Sequence, residues 1–164
     1  MTINYCKNPI NIGAGNNVIE CLKKSEGNFL HIISDKVRFR KAYINVIHEI
    51  LARKSRLSFL EYDVYQTSPE IEELNDYSEP HPNELEFTSI LAQKSYKLTH
   101  LSSLVFNREF LETEGLYSEL NRSLIPQTHV FMKQAFVSNR VLVFNNASFV
   151  VGGNKSVSYN ALDV

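Results

Sequence analysis

Asn28 to Val64, NFLHIISDKVRFRKAYINVIHEILARKSRLSFLEYDV, is the stretch whose reading decides the fold. It opens on Asn28-Phe-Leu-His-Ile-Ile33, a short continuous apolar run of the kind that forms a buried strand. Phe39, Tyr43, Val46, Ile47 and Ile50 then recur at helical spacing, and Arg40, Lys41, Glu49 and Arg53 fall mostly off that face. Leu57-Ser-Phe-Leu-Glu-Tyr-Asp-Val64 closes the unit as a second strand. Strand, helix and strand in succession predict a β-α-β unit with parallel strands and a right-handed crossover.

Working outward, Pro9-Ile-Asn-Ile-Gly-Ala-Gly-Asn-Asn17 carries turn formers. Asn17 followed three residues later by Glu20 predicts a helix start, with Val18, Ile19 and Leu22 on one face and an end near Gly27. On the other side, Pro69, Pro80 and Pro82 bracket the acidic residues Glu70, Glu72, Glu73, Asp76 and Glu79, which makes 66–83 a solvated excursion. Helices are expected over 84–97 and 104–121, so 66–121 is read as a helical insertion. From His129 the pattern changes to strands: His129-Val-Phe-Met, Ala135-Phe-Val, Val141-Leu-Val-Phe144 and Ala147-Ser-Phe-Val-Val151. A turn at Asn145-Asn146 would join the last two as a β-hairpin. The expected fold class is thus α/β: a single domain over 1–164 with a mixed sheet, a β-α-β unit in the first half and a β-hairpin near the C-terminus.

A chain of 164 residues is long enough to bury a self-sufficient core. Seventeen basic against eighteen acidic side chains leave a net charge of −1, so any contact with a polyanion must come from a local patch. The sequence shows neither a secretory leader nor an apolar run near 18 residues. The expectation is a cytoplasmic protein without a membrane partner, in which Cys6 and Cys21 are free thiols. No histidine pair has zinc-ligand spacing and neither cysteine has a close ligating companion, so no metal and no cofactor is called for. Arg38, Arg40, Lys41, Arg53, Lys54 and Arg56 surround the clearest helix and read as a solvated basic surface.

Two family resemblances attach to particular residues. Ile12-Gly-Ala-Gly15, Ile32-Ile-Ser-Asp-Lys36 and Ser68-Pro69-Glu70 look somewhat like the opening of iron-dependent alcohol dehydrogenases and dehydroquinate synthases. That likeness implies a nucleotide phosphate near Gly13 and Gly15, but the metal-ligand histidine domain of those families is absent. The second covers 17–63 and 125–160, which resemble the single-domain form of the phospholipase D-like superfamily. The family signature is His-x-Lys, four residues, Asp, six residues and Gly-Gly or Gly-Ser. Ser138-Asn139-Arg140, Asn145 and Gly152-Gly153 keep its spacing. The chemistry departs from it: serine stands for the nucleophilic histidine, arginine for lysine and asparagine for aspartate.

An arginine still grips phosphate, which preserves binding better than turnover. The resemblance therefore implies a phosphodiester- or nucleic-acid-binding domain, with Arg140, Asn145, Gly152, Gly153 and Asn154 as phosphate-binding residues and His129, Lys133 and Ser138 as candidate catalytic groups. Glycines there would let backbone N–H groups approach an anion. Because members of the family complete a site from two halves, it also implies a homodimer. The alternative is a non-catalytic protein-interaction or regulatory domain, with the inserted region as its partner surface.

Overall fold

The computed structural model describes residues 5–65, 81–111 and 116–152, and the expectations placed on Glu70 to Glu79, Gly153 and Asn154 lie outside them. Among the described residues, six strands build a mixed sheet and five α-helices cover its two faces, an α/β fold. The elements are α1 (Gly13–Lys24), β1 (Phe29–His31), β2 (Val37–Phe39), α2 (Tyr43–Arg53), β3 (Leu57–Tyr65), β4 (Pro82–Glu86), α3 (Phe87–Lys94), β5 (Leu104–Asn107), α4 (Leu116–Leu120), α5 (Pro126–Ser138) and β6 (Arg140–Gly152). Short 3₁₀ turns at Ser95–Thr99 and Leu101–Ser103 lead into β5.

The strand order is β1-β5-β3-β6-β2, and β4 pairs with the first half of β6. β5 is antiparallel to both β1 and β3, so β1 and β3 run parallel, as their connection through α2 requires, but with β5 between them. Alternation assigns the faces. Leu57, Phe59, Leu104, Phe106, Val141 and Val143 point to the side covered by α1, α3 and α5. Leu60, Tyr62, Val105, Leu142, Phe144 and Phe149 point to the side covered by Val46 and Ile50 of α2.

Four expectations are corrected. The segment 104–107 is a buried central strand in place of the helix expected over 104–121, and 82–86 is another strand, so the helix expected over 84–97 is confined to α3, Phe87–Lys94. Residues 126–138 form a helix instead of two strands. Pro126 sits in its first turn, where a missing N–H costs nothing, and Val130, Phe131, Gln134 and Ala135 are buried at helical spacing. No hairpin turns at Asn145-Asn146: β6 is one strand, parallel to β3 on both sides of the irregularity, from Ser58↔Leu142 to Tyr65↔Gly152. Finally, α1 begins at Gly13, ahead of Asn17, because Gly13 adopts φ +78° and the Asn11 side chain accepts its N–H at 3.0 Å.

Candidate functional site at the end of strand β1

Parallel strands leave their C-terminal ends at one edge of a sheet, and ligands of open α/β sheets bind in the crevice there. At that edge β1 ends on His31, which is held from two sides. Its Nε2 lies 2.8 Å from the Ser102 carbonyl and its Nδ1 lies 2.7 Å from the Tyr43 hydroxyl. A carbonyl only accepts, so Nε2 carries the hydrogen and Nδ1 accepts from Tyr43. Burial lowers the His31 pKa and pushes the Tyr43 phenol up to about 12, so both are neutral near pH 7. Ser102 Oγ in turn accepts the Ser34 N–H at 2.9 Å, fixing the start of the loop Ser34-Asp35-Lys36.

The 3₁₀ turns bring a second histidine to the same edge. His100 Nδ1 accepts the Ser102 N–H at 3.3 Å, its ring lies 4.5 Å from that of Tyr62, and burial lowers its pKa too. Tyr62 stacks on Phe149 with centroids 5.5 Å apart, and Phe39 stacks on Tyr43 at 3.9 Å. Around this aromatic floor lie ion pairs: Arg40 with Asp63 at 3.1 Å, and Glu61 with Lys94 at 2.5 Å and Lys97 at 3.6 Å. Asp35 is an exposed carboxylate in the loop after β1. Along β1 itself runs a groove of about 350 Å³, bounded by Cys21, Ser25 and Gly27 on one side and by Phe29, His31 and Ile33 on the other. Its last lining residue, Ile33, leads directly into Ser34 and Asp35.

The sequence-derived candidates lie elsewhere. His129 and Lys133 come together on the outer face of α5, beside a groove of about 540 Å³ that also touches Leu124, Ile125, Thr128 and Met132. Glu119 lies 2.7 Å from Lys133 and 3.6 Å from His129, and Lys133 chiefly holds the carboxyl below its usual range. Ser138 Oγ donates to the Arg140 carbonyl at 2.9 Å where helix turns to strand. The exposed Arg140 side chain pairs with Glu84 on β4 at 3.0 Å. Asn145 is five residues further along β6, about 16 Å away at strand rise, and Gly152 ends the strand beside Tyr65. The signature spacing is thus laid out along one extended strand, with Arg140 at its start and Gly152 at its end.

His31 and His100 carry the edge cluster, and their separation of dozens of residues in the sequence gives no sign that they meet. The missed signal was the run His100-Leu-Ser-Ser103 immediately before an apolar segment, which a helix expectation over 104–121 concealed. Gly13 and Gly15 do open a helix, where Gly15 brings α1 near Pro126: a Cβ there would stand 3.7 Å from its ring. Among the described residues, no group of three or more His, Cys, Asp or Glu side chains is arranged to hold a metal ion.

No family model matches the chain, and no curated protein matches it by sequence. A solved structure is similar in fold: S. aureus TarS 1-349 in complex with UDP-GlcNAc, with a TM-score of 0.55 and 15% identity. The likeness covers 93% of this chain and 42% of the TarS chain, so this chain spans less than half of that structure.

Proposed function

We propose that this domain binds a sugar nucleotide, with its site at the C-terminal end of β1, and is of glycosyltransferase type. The observation that carries the reading is the groove along β1 opening onto Ser34-Asp35-Lys36, within a sheet whose likeness to the UDP-GlcNAc-bound TarS covers nearly the whole chain. The groove's size, about 350 Å³, suits part of such a ligand, and its apolar walls suit a base or sugar face. Past the last lining residue, Ile33, the exposed Asp35 carboxylate can accept from sugar hydroxyls. The phosphodiester expectation drawn from sequence is kept in this form, since a sugar nucleotide presents phosphate esters. Its location moves from Arg140 to the β1 edge, because Arg140 is already matched by Glu84 in solvent.

Isothermal titration of the protein with UDP-GlcNAc, UDP and a single-stranded oligonucleotide tests this reading. We expect saturable binding of UDP-GlcNAc, weakened at least about tenfold in Asp35→Asn, the loss expected when a charged hydrogen-bond acceptor is removed, and unchanged in Arg140→Ala. Oligonucleotide binding abolished by Arg140→Ala, with no response to UDP-GlcNAc, would return the site to β6.

A further inference from the structure

The outer face of α5 is built like an inner one. An amphipathic helix on a sheet shows one apolar stripe and one polar stripe. α5 buries Val130, Phe131, Gln134 and Ala135 against the sheet and α1, yet its opposite face, Thr128, His129, Met132, Lys133 and Phe136, is again partly apolar. Phe136 is 71% exposed and Val137 70%, and the linker before the helix adds Leu124 at 96% and Ile125 at 38%. Leu124 and Ile125 line the groove of about 540 Å³ together with Met132, and Phe136 follows Met132 one helical turn on, its ring 5.2 Å from that of Phe87 and edge-on to it. Scattered apolar residues on a surface are ordinary; a contiguous patch beside a groove, rimmed by charge, marks an interface.

The charges of the rim say what fits. Glu119 and Lys133, 2.7 Å apart with His129 beside them, place both signs at the rim. Such a rim selects neither an acidic nor a basic partner, but it complements itself when turned about a twofold axis. The register follows from the helix. Met132 lies midway between Thr128 and Phe136, so two antiparallel α5 helices crossing near Met132 set Phe136 of one copy over Thr128 and Ile125 of the other. Lys133 of each then approaches Glu119 of its partner. The net charge of −1 per chain opposes this approach little.

We propose that the chain forms a twofold homodimer through the outer face of α5 and the preceding linker, with Phe136 as the apolar anchor seated in the partner's groove. The dimer does not depend on the sugar-nucleotide reading, since α5 is separate from the β1 groove.

Sedimentation velocity over a concentration series tests it. The expected result is a concentration-dependent dimer that Leu124→Glu and Phe136→Ser each shift at least tenfold toward monomer, while Ile44→Glu on the exposed side of α2 leaves it unchanged. Circular dichroism confirms that each variant is folded. In a background with Cys6→Ser and Cys21→Ser, Met132→Cys should oxidise to a covalent dimer, and Ile44→Cys should not. A wild-type chain that is monomeric throughout the series, or a dimer indifferent to Leu124→Glu and Phe136→Ser, overturns the proposal.

Discussion

His31 lies within the apolar run that predicts the first strand, and nothing in that run marks it as the junction it is in the fold. It ties β1 to α2 through Tyr43 and to the 3₁₀ turn through Ser102, joining three elements far apart in the chain. The pH dependence follows from its burial. The folded state holds His31 below its ordinary 6.5, so as the pH falls the unfolded chain takes up its proton first. The stability due to the neutral ring is whole above about pH 6.5 and is lost as the pH falls from there toward the lowered folded value. His100 acts in the same sense. The urea midpoint should therefore drop between about pH 7 and about pH 5. His31→Gln should lower the midpoint at neutral pH and flatten that drop; an undiminished drop in the variant would assign the effect to other groups.

Among the elements, β5 and α5 are where pattern and structure part. Leu104-Val-Phe-Asn107 is only four residues long and is buried from both sides, so it lacks the polar alternation that identifies a half-exposed strand. Its place between β1 and β3 makes it the seam of the sheet. Phe106→Ala should accordingly cost about 3–5 kcal/mol in equilibrium denaturation, the loss typical of a large buried aromatic. A loss below about 1 kcal/mol, as expected for a surface helix position, would return the segment to the helical reading. In α5 apolar residues occupy both faces, which blurs the helical period. The helix is legible instead from its ends, Pro126 in the first turn and Asn139 at φ 53° as the left-handed cap.

At the scale of the whole molecule, the long strands β3 and β6 hold the sheet together. They run parallel to each other, and β6 gives its first half to β4 and its second to β2. Among the described residues, β1, β2 and β4 each have one side without a strand partner. Native-state hydrogen exchange should therefore find the slowest amides in Phe59, Leu60, Val105 and Val143, and markedly faster ones in Arg38 and Glu84. Exchange as slow in β2 as in β3 would mean that the sheet continues beyond β2. The proposed ligand site lies at the β1 edge, where, among the described residues, no further strand pairs with β1.

Local pattern determined a great deal. The helix over Tyr43–Arg53, the strands β1 and β3, their parallel sense and the α/β class all follow from apolar spacing, whereas β2, which takes Phe39 out of the helical pattern and runs antiparallel to β3, does not. What tertiary structure alone decided was the company each segment keeps. The sequence of Leu104 to Asn107 carries no mark of its position between two strands from the first half of the chain, since strand order is a matter of contacts across dozens of residues. The same holds for the candidate site. His31, Tyr43, His100 and Ser102 are spread over some seventy residues and meet only because β1 and β5 pair. Arg140 and Gly152, close in sequence and matched to a signature, stand at opposite ends of one strand, Arg140 beside Glu86 and Gly152 beside Tyr65.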